Sequence, residues 1–508
     1  MPLEFGTAGI RGIVGDTREF LNEAHAAQIF EAYAKYLNDK FKNVQNKCVV
    51  VGRDNRKKGK QFCILAANIL SSYGIKIFYS QNMLPTPFIS FLIKEKQALG
   101  GINITASHNP KEYNGIKIYN NHAFQMLPKE IKELKLYFDD YSKYEKYINQ
   151  NLKLNINSNI LNIEEIDYQK YINGLHKLIN NKEINNLKIA YSPLHGTGYY
   201  FAKQIFQKMK LNVVYEKNEI IEDEEFSFVE NPNPELEVAY KNTLKLSQEE
   251  QADLILITDP DSDRLGIAYQ NEEKAYQYIN GNENAILITD YLLNNKKLDN
   301  QYQYYLIYSF VSTSLPSQMC LKNNISSLIT ETGFKWIGEK ISNFNQNEKL
   351  FFAFEESYGS LSDDHLSLDK DALQAMTIII AIAAEAKKEN LNLGQKLEKI
   401  YQKYGFMEAK SFSFALENQN QLAQLKSQFK SINFENATLL DYSQGINDIE
   451  PNDMLSYQFC NSLNWVSLRP SGTEPKFKIY IHVVEKTKEL AQKKFNELFI
   501  KIKNSLKI

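Results

Sequence analysis

Thiol, membrane and bulk-charge chemistry all have little material in this sequence. Its 508 residues include four cysteines, Cys48, Cys63, Cys320 and Cys460, scattered without C-x-x-C spacing. That argues against a cysteine zinc site or a disulfide scaffold and fits a reducing compartment. No apolar run reaches the about 20 residues that a bilayer-spanning helix needs. The best candidate, ALQAMTIIIAIAAEA at 372–386, is shorter and contains Gln374, so it reads as a buried helix. The opening MPLEFGTAGIRG shows no basic-then-apolar leader, and a cytoplasmic protein is expected. Net charge is also scarce: 59 basic against 61 acidic side chains give −2, with no broad field for nucleic acid. Small anionic ligands stay open, because a few local arginines suffice to bind them. No tandem repeat or long low-complexity tract interrupts the chain.

What is present is an ordinary globular composition, 43% hydrophobic and 24% charged, in a chain too long for one core. Strand-like runs alternate with helix-like stretches. KCVVVGRD (47–54) precedes a helical 57–74, LKIAYSPLHGTG (187–198) leads into helical 199–210, and ADLILITD (252–259), YYLIYSFV (304–311) and KLFFAFEE (349–356) end in polar loops. Such alternation predicts α/β units with parallel or mixed sheets and helices on their faces. Polar joins divide the chain into 1–165, 166–273, 274–400 and 401–508. The last segment, with SFSFAL, NWVSLR and KFKIYIHVVE before a final helix, reads as α+β.

Four loops carry chemistry. T-A-S-H-N-P (105–110) puts Ser107 at a strand end, where βα loops expose side chains. Ser, His, Asn and Pro are also ordinary loop residues, so this motif decides nothing alone. D-P-D-S-D-R (259–264) sets Asp259, Asp261 and Asp263 at every second position; an extended backbone would point all three one way, where they repel unless a cation is present. It is not an EF-hand, since the sixth and twelfth positions are Arg264 and Gln270. Magnesium suits such a site, and Arg264 beside it has the reach for a phosphoryl group or a carboxylate.

The third loop, R-P-S-G-T-E-P-K (469–476), offers the Arg469 fork, the Ser471 and Thr473 hydroxyls and the Gly472 backbone to an anion; a tight turn between strands would look the same. The fourth, F-E-E-S-Y-G (354–359), offers Glu355 and Ser357 to a polyol, although acidic residues also favour helix N-termini for dipole reasons alone. G-T-A-G-I-R-G (6–12) is not a dinucleotide fingerprint, but Arg11 is of the type that clamps phosphate. His195, in S-P-L-H-G-T-G, reads as a turn residue rather than a catalyst.

In this order, GTAGIRG, TASHNP, DPDSDR, FEESYG and RPSGTEPK resemble the α-D-phosphohexomutase family, which includes phosphoglucomutases and phosphomannomutases, over essentially the whole chain. The resemblance implies four domains around a central cleft, three α/β and a C-terminal α+β domain. It implies a phosphoserine at Ser107, Mg²⁺ held by Asp259, Asp261, Asp263 and the phosphoserine, and Arg264 and Arg11 at the active centre. Glu355 and Ser357 would bind sugar hydroxyls, and Arg469, Ser471, Gly472 and Thr473 the non-reacting phosphate. His108 and Lys117, the latter in NGIKIY (114–119), match the family's candidates for proton transfer, Lys117 with a pKa lowered by burial beside cations. A sugar 1,6-bisphosphate would be intermediate and activator.

Gly359 stands where many members carry His, which shifts weight to Lys117. The Tyr358-Gly359 ending is similar to the phosphoglucomutase/phosphopentomutase-like branch. Expected is a hexose 1-phosphate/6-phosphate mutase acting on glucose or mannose phosphates, as monomer or homodimer. A phosphopentomutase, a metal-dependent phosphatase using the same serine and a non-catalytic phosphosugar-binding protein are the rival readings.

Overall fold

The computed structural model describes residues 5–6, 9–416, 419–446, 449–460, 463–470 and 476–508. Four sheets follow one another along the chain. In the first, the strand Cys48–Arg53 is buried throughout and lies parallel between Gly101–Ile104 and Lys76–Tyr79. Side chains alternate across a strand, so a strand covered on both faces can be apolar at every position. Val49 and Val51 accordingly join the core under the helices Glu23–Lys40 and Gly59–Ser72, while Val50 joins the core with Phe88, Ile89 and Leu92 of the helix Thr86–Glu95. Tyr113–Tyr119 and Gly9–Ile13 extend this sheet antiparallel, so the described residues of GTAGIRG, Gly6 and 9–12, lie in strands.

The second sheet repeats the logic. Leu254 and Leu256 of the strand Leu254–Thr258 face one core, Ile255 and Ile257 another. Lys188–Ser192 and Asn212–Tyr215 are parallel to it and Leu265–Gln270 is antiparallel, which makes the sheet mixed. The third sheet centres on Gln303–Ser309, parallel to both Ile325–Thr330 and Glu348–Glu355. The fourth is antiparallel throughout, in the order Phe406–Ala415, Lys476–Glu485, Trp465–Pro470, Leu455–Phe459, Ala437–Asp441. The helices Gln419–Lys430 and Lys488–Leu506 pack against it. Three α/β layers and a C-terminal α+β unit are therefore what the alternation of elements implied.

The 372–386 run is a helix, Ala372–Lys388, and it is almost wholly buried. It follows the third sheet in sequence yet lies against the strands Leu254–Thr258 and Leu265–Gln270 of the second, and against the helices Glu165–Lys177 and Gly198–Lys208. Each of its buried isoleucines contributes about 1.5–3 kcal/mol of transfer free energy, enough to weld the second and third units into one continuous core. Among the described residues no helix is long and apolar enough to cross a membrane. The fourth unit meets the third through an apolar cluster in which Val311 packs with Tyr442, Trp465 and Tyr480, and through polar contacts: His482 Nε2 lies 2.7 Å from Thr313 Oγ1, and Glu450 N donates to Glu331 Oε1 at 2.7 Å.

Candidate active site

Two loops from different sheets meet at the centre of the molecule. The strand Gly101–Ile104 is followed by Thr105, whose Oγ1 accepts the Ser107 N–H at 2.8 Å, and Ser107 adopts φ +53°, the left-handed region. The 259–264 loop joins the antiparallel strands ending at Thr258 and beginning at Leu265. It is not extended, contrary to the simplest reading of its spacing. Ser262 has φ +57°, its N–H donates to Asp259 O at 2.9 Å, and the turn rather than strand alternation makes the three carboxylates converge. Asp259 Oδ1 accepts the Asp263 and Arg264 N–H groups at 2.9 and 3.0 Å, and Asp259 Oδ2 accepts the Ser107 hydroxyl at 2.8 Å.

The turn is held from beneath by S-P-L-H-G-T-G. Thr197 N donates to Pro260 O at 2.9 Å and Thr197 Oγ1 lies 2.8 Å from Ser262 Oγ. A Cβ on Gly196 would stand 2.5 Å from Pro260 Cα. His195 in the same turn is buried, with φ +61° and Nδ1 2.8 Å from Ile221 O, a turn residue as read from sequence.

Asp259, Asp261 and Asp263 are fully buried and present carboxylate oxygens within 4.8 Å of one another. Desolvation, then Asp263 and Asp261, drive the Asp259 pKa well above the usual carboxylate range, as expected for crowded acids. Asp261 Oδ1 and Asp263 Oδ1 are buried without hydrogen-bond partners. Three converging carboxylates, two of which present an oxygen without a hydrogen bond, are the donor set a hard divalent cation takes.

Cationic side chains surround this acid cluster. Lys117, buried on the strand Tyr113–Tyr119, donates from Nζ to Asp261 Oδ2 at 2.6 Å and Asp263 Oδ2 at 3.0 Å. Burial is the largest influence on its pKa and lowers it, but Asp261 and Asp263 more than offset that, so the pKa is raised. A lysine deprotonated by neighbouring cations is not what this arrangement makes; its nearest charges are carboxylates. Arg264 donates to Glu235 and lies 3.8 Å from Asp263. Arg11 donates to Asn109 Oδ1 at 2.7 Å, and its Nε is buried without a partner. His108 Nδ1 is 3.3 Å from Ser107 Oγ; burial, then Arg264 and Arg11, hold its pKa well below the ordinary value, so the imidazole is neutral.

The sugar-loop candidates close one side. Glu355 ends its strand buried, with Oε1 accepting the Gly333 N–H at 2.7 Å; burial raises its pKa and Lys370 opposes the rise. Glu356 is tied up by the Ser309 and Ser312 hydroxyls, which leaves Glu355 and the half-buried Ser357 as the available pair. Arg469 lies on the strand Trp465–Pro470 beside Tyr480. Ser471, Gly472 and Thr473 lie outside the described residues.

Three site residues escaped sequence reasoning. Thr86 opens a helix and donates from Oγ1 to Asp261 Oδ2 at 2.6 Å, with its N–H on Asp261 O at 2.8 Å; its T-P pair signalled only a helix start. Glu235 closes E-N-P-N-P-E, directly after Pro234. Lys370 Nζ lies 3.3 Å from Asp263 Oδ2, and its stem packs so closely on Gly359 that a Cβ there would stand 2.1 Å from Lys370 Cδ. That contact gives the physical reason for glycine at 359: a larger side chain would collide with the lysine.

Family models described as phosphoglucomutase/phosphomannomutase, alpha/beta/alpha domains I, II and III match residues 2–145, 168–272 and 280–404. A phosphomannomutase of Mycoplasmoides pirum is 34% identical over 499 residues, covering 95% of this chain and 88% of the relative. A phosphoglucomutase of Staphylococcus epidermidis is 31% identical over 499 residues, covering 94% of this chain and 90% of its own. Among solved structures, the open form of the pp63/parafusin phosphoglucomutase from Paramecium superimposes with a TM-score of 0.76 at 18% identity, over 99% of this chain and 95% of that one, which shows a shared fold.

Proposed function

Since the chain belongs to the phosphoglucomutase/phosphomannomutase family and is a mutase of the phosphotransferase type, we propose that it interconverts hexose 1-phosphate and hexose 6-phosphate, with Ser107 carrying the phosphoryl group. The observation that supports this reading best is the Ser107 hydroxyl 2.8 Å from Asp259, at the rim of three buried carboxylates. Asp259, Asp261 and Asp263 would hold Mg²⁺ together with a phosphoserine oxygen, and bound there the ion neutralises charge on the transferring oxygens.

In the first half-reaction a sugar hydroxyl attacks the phosphorus. The new P–O bond forms on the sugar, the P–Oγ bond to Ser107 breaks, and a sugar bisphosphate results. Ser107 Oγ takes up a proton as it leaves, and the attacking hydroxyl gives one up. His108, 3.3 Å from Ser107 Oγ, and Lys117, which keeps its proton beside Asp261 and Asp263, are the groups placed to carry these two protons. Arg264 and Arg11 add positive charge around the transferring group. Glu355 and Ser357 orient the sugar hydroxyls, and Arg469 with Ser471, Gly472 and Thr473 grips the phosphate that does not react. The bisphosphate then turns and returns its other phosphate to Ser107.

Coupled assays on the 1-phosphates of glucose, mannose, glucosamine, ribose and deoxyribose, with Mg²⁺ and glucose 1,6-bisphosphate, test the proposal. Fastest turnover of glucose or mannose 1-phosphate is expected. Preference for a pentose phosphate would make the enzyme a phosphopentomutase, and release of free phosphate without isomerisation would make it a phosphatase.

A further inference from the structure

Beneath the Ser107 loop lies a side chain that belongs to none of the four chemical loops. Arg56, in the turn between the strand Cys48–Arg53 and the helix Gly59–Ser72, has its side chain fully buried. A guanidinium has five N–H donors in a rigid plane, and here the partners match that number. Nε donates to Asp54 Oδ2 at 3.1 Å. Nη1 donates to Pro110 O at 2.9 Å and Tyr113 O at 2.8 Å, and Nη2 to Ser107 O and, at 2.7 Å, Asn109 O. Four backbone carbonyls between 107 and 113 thus converge on one side chain.

The grip on Ser107 is two-sided. Its carbonyl is held by Arg56, and its N–H by Thr105 Oγ1, which itself donates to Asp54 Oδ2 at 2.6 Å. A residue other than glycine keeps a left-handed backbone only where its surroundings over-determine it. The second unit closes the arrangement: the buried Phe226 ring lies 5.4 Å from Arg56 Cζ. Its segment is tied to the first unit by Arg53–Glu222 at 3.0 Å, Lys57–Glu225 at 2.6 Å and Asn55 Nδ2 on Asp223 O at 2.6 Å.

We propose that Arg56 is the positioning residue for Ser107: it fixes the strained loop backbone so that Oγ meets Asp259, and Phe226 of the second unit keeps the guanidinium in that plane. Arg56 does not reach the phosphoryl group; it acts through the backbone. The proposal rests on Ser107 as phosphoryl carrier for its effect on rate, but not for its effect on the loop.

Arg56→Lys separates the two. A lysine ammonium is a point charge and cannot satisfy four carbonyls and a carboxylate in one plane. A displacement of about 1 Å at a reacting group lowers rate about 100-fold. Arg56→Lys is therefore expected to lower kcat about 100-fold with KM within about threefold, and to slow phosphorylation of Ser107 by glucose 1,6-bisphosphate by the same factor, followed by intact mass. Hydrogen exchange of the 105–113 amides in the full chain should rise while that of the Leu254–Thr258 strand stays unchanged.

Wild-type kcat and unchanged exchange at 105–113 would overturn the proposal. If the parent shows no mutase turnover, the functional reading fails, and the exchange experiment still decides the positioning role. Should Arg56→Lys not fold, Thr105→Val, which removes the acceptor of the Ser107 N–H and one donor to Asp54 while leaving the Arg56 contacts in place, is expected to lower kcat about tenfold; an unchanged rate there overturns the two-sided grip.

Discussion

Ser107 and Asp259 lie 152 residues apart in the chain, on loops of different sheets, and the serine hydroxyl donates to the aspartate carboxylate at 2.8 Å. That hydrogen bond places the proposed phosphoryl carrier at the edge of the acid cluster.

Replacing Ser107 by alanine removes the oxygen that would carry the phosphoryl group. The parent protein, incubated with glucose 1,6-bisphosphate and Mg²⁺, is expected to gain the mass of one phosphoryl group, and Ser107→Ala to gain none. Turnover should fall by roughly 10³-fold or more, the scale of losing an essential nucleophile. Normal turnover by the variant would end the phosphoserine mechanism.

Asp263→Asn leaves the shape of the loop but removes the negative charge of one of the two carboxylates in the cluster that present an oxygen without a hydrogen bond. Turnover of the parent should stop with chelator and return with Mg²⁺. In the variant the Mg²⁺ concentration for half-maximal rate should rise by about tenfold or more, the range for disturbing a metal site's ligands. The same half-saturation in both proteins would remove Asp263 from the metal set.

Gly359→Ala places a methyl group where the Lys370 stem now lies. Overpacking of this kind costs about 1–3 kcal/mol, so the thermal midpoint should fall. In a Lys370→Ala background the same substitution should cost less, since Cδ and Cγ, the two closest atoms at 2.1 and 2.7 Å, are gone and only Cβ at 3.2 Å remains. The double-mutant cycle measures the difference directly, and equal costs in both backgrounds would contradict the contact.

Glu219 is a buried carboxyl that takes hydrogen bonds from Ser192 and, at 2.8 Å, Asn242. Burial, partly offset by these two partners, raises its pKa to about 7 from 4.5. The folded state therefore holds its proton where the unfolded chain has lost it. The associated stability is present below pH 4.5, declines as pH rises, and is gone above about 7. Glu219→Gln cannot titrate. Relative to the parent it should gain on the order of 2 kcal/mol between pH 4.5 and pH 8, read from thermal midpoints at the two pH values. A parallel pH dependence in both proteins would show that Glu219 is not the titrating group.

The layered α/β plan was legible because its central strands carry runs of consecutive apolar residues, at 49–51 and 254–257, between helix-like stretches. Cys48–Arg53 and Leu254–Thr258 can bury side chains on both faces only inside such layers. The motifs were legible because chemistry restricts composition: three aspartates at alternate positions with Pro260 between them have few other uses. Their convergence was anticipated, but not its cause, since the left-handed Ser262 has no mark in the sequence.

The sequence by itself determined the class of fold, the four loops and the residue types each loop presents, because these follow from local periodicity and side-chain chemistry. Only the tertiary structure decided which groups face one another. Lys117 is flanked by Asp261 and Asp263, so its pKa rises where burial beside cations would have lowered it. Gly359 makes room for Lys370, and Arg56 holds the Ser107 loop by four carbonyls that no sequence pattern marks. Hydrogen bonds and electrostatic shifts depend on distances of a few ångströms between segments that are apart in the chain, by as much as 146 residues for Lys117 and Asp263, and those distances exist only once the units have packed.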